Sequence, residues 1–231
     1  MNPFYSFVNI YTVVGFFASI KLLKYWYHNQ QLKSELENKN KTSELALLKS
    51  QVNPHFLFNT LNNIDSLVAI DQEKASDAII KLSDIMRYML YDTATDKVFL
   101  EKEINYLQSY IALQGLRFQN PEVVQFNISG SCSNFHIAPM LLIPFVENAF
   151  KHGKKTMNGA IIISLVCVPE KLVFTVSNKY DVPMLQQKDK TKGIGLSNVK
   201  RRLDLLYPDK YVLDINGDDG KYEVKLQIRM V

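Results

Sequence analysis

The spacing of apolar residues changes near residue 121, and this change divides the chain into two architectures. Between residues 57 and 111 apolar side chains recur every three or four positions, the period of amphipathic helices. From residue 123 several segments instead alternate apolar and polar side chains, the period of half-buried β-strands. We therefore predict an α+β protein whose helical part precedes a sandwich, with a mixed, mostly antiparallel sheet and helices on one side.

The first 27 residues have the properties of a membrane anchor. Residues 2–20 contain no charged side chain, and the apolar, aromatic segment continues to residue 27. About 20 such residues can cross a bilayer as a helix. Because the lysines follow the segment, the positive-inside tendency places the carboxyl side in the cytoplasm. We predict a single-pass anchor over residues 1–27 and a helical connector over residues 28–50; a buried core helix is the alternative for the first segment.

The segment that follows places a histidine on the outside of a helix. Residues 53–59 read Asn-Pro-His-Phe-Leu-Phe-Asn, in which the proline suits the first position of a helix. One stripe of this helix is apolar: Leu57, Leu61, Ile64 and Val68. His55 lies about 200° from it, on a polar stripe with Asn59 one turn later. The pattern predicts a solvent-facing imidazole that an amide can orient, with a plain surface histidine as the alternative.

Two further helices complete a helical region over residues 51–120. The next helix carries a broad apolar stripe: Ala75, Ala78, Ile79, Leu82, Ile85, Met86, Met89 and Leu90. A third helix, predicted near residues 100–118, has charges clustered in its first turn. A helical hairpin alone buries little apolar surface, so two copies are expected to pair as a four-helix bundle. The pattern predicts a homodimer.

Residues 121–231 are predicted to form the sandwich, and one of its helices carries polar groups at its end. The helix predicted over residues 139–152 is rich in apolar residues, and its polar residues gather late: Glu147, Asn148, Lys151 and His152. An amide, a cation and an imidazole at the edge of an apolar helix suit a phosphate–metal ligand. A solvated helix end is the alternative at this point.

A glycine turn enters the next predicted helix of the sandwich. Residues 192–196 read Lys-Gly-Ile-Gly-Leu, and Gly193 and Gly195 permit close approach of a ligand to the backbone. The N–H groups of the helix that follows can hold an anion. An ordinary turn is the alternative, because the pattern is short. In that helix Lys200, Arg201 and Arg202 are predicted to be the more exposed residues.

Composition excludes several other classes of protein. The net charge of +4, with 27 basic and 23 acidic residues, is too small and too scattered to indicate nucleic-acid binding. Two cysteines, Cys132 and Cys167, fit neither a disulfide framework nor a metal cluster, and are predicted to be buried thiols in a reducing compartment. The turn of the last hairpin is predicted over residues 216–220, which contain an Asn-Gly pair.

Three motifs, taken in order, resemble one family. Residues 51–62 resemble the phospho-acceptor segment of LytS/YpdA-type sensor histidine kinases. Residues 144–153 look like their N-box, and residues 193–203 like their second glycine box. The resemblance covers residues 45–231 and implies a GHKL-type ATP-binding sandwich, a dimerisation element and a role in two-component signalling.

The resemblance implies a role for each motif residue. His55, beside Asn59, would accept the γ-phosphate of ATP, and Asn148 would be the Mg²⁺ ligand. Lys151 and His152 stand where phosphate contacts are expected. Gly193, Gly195 and Leu196 would lie against the nucleotide, and residues 179–192 correspond to the lid.

Two departures from the family pattern bear on the chemistry. The family's first glycine box carries an Asp that contacts adenine, whereas here Ser177 or Asn178 takes its place. Related ATPases carry a water-activating Glu four residues before the N-box asparagine, but here the residue is Pro144, so ATP hydrolysis is not expected.

The resemblance also implies partners and a location. The expected partners are a second copy of the chain, a cytoplasmic response regulator of the LytTR type, and the bacterial cytoplasmic membrane, without direct nucleic-acid binding. The main hypothesis is a histidine kinase that autophosphorylates His55 and passes the phosphoryl group to a regulator Asp. The alternatives are an inactive membrane-tethered scaffold and a kinase for Ser or Thr.

Overall fold

The computed structural model divides the chain into two units, Met1–Val52 and Asn53–Val231. It describes residues 15–16, 19–36, 39, 54–118, 120–132, 134–154, 156–180, 194–218 and 220–230. In the first unit, residues 19–36 are helical and exposed. Over the described ranges, no helix has both the length and the apolar character needed to cross a membrane. Much of the anchor predicted over residues 1–27, and most of the connector's second half, lies outside those ranges.

The second unit begins with three helices that pack in sequence order. They are α1 (Pro54–Val68), α2 (Gln72–Tyr91) and α3 (Leu100–Gly115). Pro54 is the first residue of α1, as predicted. Asp71 caps α2, because its side chain accepts a hydrogen bond from the Lys74 backbone N–H at 3.0 Å. α2 packs against both α1 and α3, which confirms the predicted hairpin and third helix.

The stripe of α1 that is buried differs from the predicted one. Phe56, Thr60 and Ile64 are buried, whereas Leu61 is 52% and Val68 49% exposed. The Phe56 ring packs 4.8 Å from that of Tyr110 on α3, measured between centroids. Contact with α3 therefore selects the covered side of α1, and part of the apolar stripe is left uncovered.

The remainder of the unit is a five-stranded sheet and a short two-stranded ladder. In chain order the strands are β1 (Val98–Phe99), β2 (Val124–Gly130), β3 (His136–Ile137), β4 (Ile161–Val168), β5 (Lys171–Lys179), β6 (Tyr211–Asp218) and β7 (Lys221–Arg229). The large sheet has the order β2-β4-β5-β7-β6, and β1 pairs with β3. Only β2 and β4 run parallel; the other neighbours in the sheet are antiparallel. The predicted mixed, mostly antiparallel sheet is confirmed.

Two helices belong to the sandwich, α4 (Ile143–His152) and α5 (Ile194–Leu206). One face of the sheet is mainly apolar and is buried on the central strands, as at Phe174 and Val176 of β5, while the other carries exposed polar residues such as Lys225. This is the one-sided burial expected of an antiparallel sheet with helices on one face. α4 begins four residues later than predicted, because residues 138–142 make hydrogen bonds to other elements.

The prediction of two free thiols is wrong. Cys132 and Cys167 form a disulfide bond, and both residues are buried. Gly130, the last residue of β2, lies opposite Cys167 near the end of β4. Cys132 follows Gly130 by two residues and is therefore close to Cys167. The resulting Cα–Cα distance of 5.5 Å is typical of a disulfide.

The turn of the last hairpin also differs from the prediction. β6 and β7 remain paired as far as Asp218 opposite Lys221, so Asn216 and Gly217 lie within β6. The chain therefore reverses between the paired residues Asp218 and Lys221, where Gly220 has a φ of 77°. Gly220, three residues beyond Gly217, thus provides the left-handed position that a tight hairpin requires.

Candidate functional site

His55 lies on the outside of α1, directly before a buried aromatic residue. Its side chain is exposed, while the neighbouring Phe56 is buried against α3. The Asn59 amide nitrogen lies 3.2 Å from each ring nitrogen of His55, within reach of a hydrogen bond to either. The outward orientation predicted for the imidazole is confirmed. A side chain held in this way can present one ring nitrogen to solvent as a nucleophile.

The polar end of α4 lies beside the end of β5. α4 packs against β5 and against α5. Asn148 and His152 are half-buried on α4, and Lys151 is exposed. Just beyond the helix, the Lys154 backbone N–H donates to the Lys179 carbonyl oxygen at 2.8 Å. The structure therefore brings the predicted N-box residues next to the strand that carries Ser177 and Asn178.

Ser177 and Asn178 lie on opposite faces of the sheet. Side chains alternate along a strand, so Asn178 shares its face with Val176, which the helices cover. Ser177 shares the other face with Thr175. Of the two residues that can replace the family's Asp, only Asn178 lies on the same side of the sheet as α4 and α5.

The amide of Asn178 is buried without hydrogen bonds to the described residues. The side chain is 2% exposed, and neither its nitrogen nor its oxygen has a partner there. Its neighbours across the sheet are Ile161 and Tyr222. A buried polar group that lacks its hydrogen bonds costs about 1–3 kcal/mol. Such a group fits a ligand that supplies both a donor and an acceptor, as the edge of adenine does.

The glycine turn is described only in part. Gly195 and Leu196 occupy the first turn of α5, and a Cβ added at Gly195 would have no heavy atom within 4 Å. Gly193 and most of the predicted lid lie outside the described residues. Within the described part of the chain, no group of three His, Cys, Asp or Glu side chains is placed to hold a metal ion. A magnesium site here would depend on Asn148, substrate oxygens and water, a ligand set that Mg²⁺ commonly uses.

A buried acid was missed by the sequence interpretation. Glu103 of α3 is 0% exposed, although it stands among the charged residues of the first turn. Burial raises the pKa of its carboxyl, and hydrogen bonds from Tyr88, Leu142 and Met140 oppose that rise. Glu103 falls three residues after Leu100, on the apolar spacing of its own helix. That position was the sequence signal for an acid inside the core.

Arg202 was predicted to be among the more exposed residues of its helix and is half-buried. Its guanidinium donates to the carbonyl oxygens of Pro139 at 2.8 Å and Met140 at 3.2 Å. Burial lowers the pKa of Arg202, and the negative charge of Glu103 opposes the change. Lys200 and Arg201 are exposed, as predicted.

Comparisons with known proteins bear on the motifs. Residues 43–122 match the family described as histidine kinase. The sensor protein LytS of Staphylococcus saprophyticus is 34% identical over 198 residues, which are 80% of this chain and 34% of LytS. The sensor histidine kinase BtsS of Escherichia coli is 31% identical over 182 residues, covering 78% of this chain and 32% of BtsS.

The resemblance to the sensor histidine kinases is confirmed. The histidine kinase match contains α1, α2 and α3, and so includes His55 and Asn59. The chain spans about a third of the length of the curated relatives it matches. Among solved structures, the histidine kinase AdeS of Acinetobacter baumannii is 10% identical, over 76% of this chain and 95% of that one. The TM-score between the two structures is 0.42.

Proposed function

We propose that the protein is an ATP-dependent sensor histidine kinase that phosphorylates His55. The observation that carries this proposal is the exposed imidazole beside Asn59, on a helix within the histidine kinase match. A ring nitrogen of His55 forms a bond to the γ-phosphorus of ATP as the bond to the β–γ bridging oxygen breaks. ADP leaves and the ring loses a proton. The labile phosphoramidate then passes its phosphoryl group to an Asp of a response regulator.

The nucleotide is proposed to bind between α4, β5 and the start of α5. The Asn178 amide oxygen would accept from the adenine amino group, and its nitrogen would donate to a ring nitrogen of the base. This pairing supplies the partners that the buried amide lacks. Ser177, on the other face of the sheet, is not part of this proposal.

The phosphates are proposed to lie toward the polar end of α4 and the glycine turn. Lys151 and His152 would contact them, with Gly193, Gly195 and Leu196 close to the phosphate chain. Asn148 would hold Mg²⁺, which supplies neutralisation of charge on the β- and γ-phosphates. The chemistry then depends mainly on positioning, because phosphoryl transfer requires little covalent participation by the protein.

We further propose that the kinase works as a membrane-bound homodimer. Residues 1–27 would anchor it in the bacterial cytoplasmic membrane, with the carboxyl-terminal part in the cytoplasm, as the charge distribution indicates. The uncovered apolar residues of α1 and α2 would pair two copies. The phosphoryl acceptor would be a cytoplasmic response regulator, for which the LytTR type is our candidate.

A labelling experiment tests the proposal. The purified 231-residue chain is incubated with γ-labelled ATP and Mg²⁺, and the label is tested for stability to acid and base. We expect acid-labile, base-stable label in the unmodified chain and none in His55→Gln. The Asn148→Ala variant should also lose most of the label while remaining dimeric.

Other outcomes would contradict the proposal in distinguishable ways. A chain that neither binds ATP nor becomes labelled would indicate a scaffold. Acid-stable label that persists in His55→Gln would indicate a kinase for Ser or Thr. Exposed His28→Gln is the matched control, since it also removes one imidazole, but outside α1.

A further inference from the structure

Residues 138–142, here termed the joint segment, connect β3 to α4 and are held mainly by groups from other elements. The Ala138 N–H donates to the Tyr207 hydroxyl oxygen at 2.8 Å. The Met140 and Leu142 N–H groups donate to the Glu103 carboxylate at 2.9 Å and 3.1 Å. As noted above, Arg202 donates to two carbonyl oxygens of the same segment. The start of α4 is therefore positioned by side chains of α3 and α5.

The Glu103 carboxylate also reaches α2. The Tyr88 hydroxyl donates to the same oxygen that accepts from the Met140 N–H. One buried carboxylate thus connects α2, α3 and the joint segment. Because α1 packs on α2, this network leads to the helix that carries His55. Removing one member of a buried charged network leaves the others unpaired, so each member has a large effect on its neighbours.

Arg202 holds the joint segment from the nucleotide side. It lies seven residues after Gly195 on α5, about two helical turns from the glycine turn. The planar guanidinium suits two neighbouring carbonyl oxygens, which a lysine ammonium cannot match in the same geometry. The joint segment is thus hydrogen-bonded on one side to Glu103 of α3, which also bonds α2. On the other side it is hydrogen-bonded to Arg202 of α5, the helix that begins at the glycine turn.

Met140, at the centre of the segment, has a strained backbone. Its φ is 56°, in the left-handed region that non-glycine residues rarely adopt. Its N–H is bonded to Glu103 and its carbonyl oxygen to Arg202. Such a conformation persists only where the surroundings determine it strongly, and it is found preferentially at functional positions.

We propose that Glu103 and Arg202 are positioning residues for phosphoryl transfer, which together set the orientation of α4 and the bound nucleotide relative to α2 and, through it, to α1, which carries His55. This inference rests on the proposed kinase function. The nucleophile and the γ-phosphorus must meet within about 3–3.5 Å, and a misplacement of about 1 Å can cost about 100-fold in rate. Residues that set the orientation of the sandwich relative to the helices α1 and α2 therefore affect the rate of phosphoryl transfer more than the affinity for the nucleotide.

The first test separates nucleotide binding from transfer. Glu103→Gln keeps the shape but turns one acceptor into a donor, and Arg202→Lys keeps the charge but loses the planar fork. We expect the Kd for ATP to stay within about twofold and the rate of His55 labelling to fall at least about tenfold. Glu101→Gln and Lys200→Met are matched controls, because both residues are exposed on the same two helices. A parallel loss of ATP affinity and labelling would overturn the inference, as would unchanged labelling.

The second test measures orientation without ATP. Spin labels are attached to Ser83→Cys on α2 and Lys225→Cys on β7, both exposed positions, and labelled chains are diluted into unlabelled ones. We expect a narrow distribution of label-to-label distances that broadens in Glu103→Gln and in Arg202→Lys. An unchanged distribution in both variants would overturn the inference. If Glu103→Gln fails to fold, the half-buried Arg202→Lys carries the test.

The two tests distinguish failure of the joint from failure of the proposed kinase function. A chain that binds no ATP and forms no phosphohistidine would remove the kinase proposal, while the distance measurement would still show whether Glu103 and Arg202 orient the layers.

Discussion

At the scale of single residues, the polar side chain of Asn178 occupies an unfavourable position, because it is buried without partners in the described structure. Ligand and catalytic sites often carry such unfavourable features, because function and stability make opposed demands. The free-energy cost of burying the Asn178 amide without hydrogen bonds therefore favours a ligand that binds to it.

The Asn178→Val substitution tests that argument. Valine suits a buried strand position and has no unpaired polar atoms, so the ligand-free protein should be more stable by about 1–3 kcal/mol. ATP binding should be lost, since the base would have no hydrogen-bonding partner. Denaturant unfolding and a nucleotide titration measure the two effects. Ser177→Val, on the other sheet face, is the control, and reduced ligand-free stability in Asn178→Val would contradict the prediction.

At the scale of elements, particular residues decide where three of the helices start. Pro54 begins α1, Asp71 caps α2, and Glu103 holds the segment before α4. The first two are local and readable from a few residues of sequence. The third joins positions almost forty residues apart, which no local pattern contains.

The cap of α2 predicts a pH dependence. Hydrogen bonds that the Lys74 ammonium and the Lys74 backbone N–H donate to the Asp71 carboxylate lower the pKa of Asp71 below its usual value. Folded Asp71 thus holds its proton less tightly than unfolded Asp71. Its contribution to stability is present above the unfolded pKa near 3.8 and is lost as the pH falls through the lower folded value.

We therefore expect the first turn of α2 to open in acid, as followed by amide hydrogen exchange between pH 2 and 6. In Asp71→Asn an amide oxygen still accepts from the Lys74 N–H, but the carboxylate titration is gone, so this acid-dependent opening should disappear. Asp77→Asn changes an exposed pair on the same helix and serves as control. Equal acid dependence in Asp71→Asn would refute the assignment.

At the scale of the whole molecule, α1 and α2 of the single chain expose an apolar surface. Exposed residues of this surface include Phe58, Leu61, Val68, Ile79, Met86 and Leu90. On each helix they are spaced by three, four or seven positions, so each set shares one face. A second copy that covered them would bury the surface and complete a four-helix bundle.

The double substitution Leu61→Glu with Ile79→Glu should separate the proposed dimer. Two carboxylates in an apolar interface would require costly burial of charge, so the mass measured by light scattering should fall by half. The ATP affinity should be retained, since neither residue is near β5. Val212→Glu, an equally exposed apolar position on β6, is the control. An unchanged mass would place the dimer contact elsewhere or remove it.

The sequence by itself determined the order and type of the helices and of the strands in the five-stranded sheet, though not the short strands β1 and β3, and it determined the outward direction of His55. These follow from periodicity, proline and cap positions, which act within a few residues. It also contained the three motifs that carry the resemblance to sensor histidine kinases. The bounds of α4 and of the last hairpin turn departed from the prediction because contacts outside each segment set them.

Only the tertiary structure decided which stripe of α1 is buried, which of Ser177 and Asn178 faces the helices, and that Cys132 bonds to Cys167. It also placed Glu103 and Arg202 on either side of Met140. Each of these outcomes depends on residues far apart in sequence that meet only after the layers pack. Local patterns specify which faces can be buried, whereas packing between elements selects the partner that buries them.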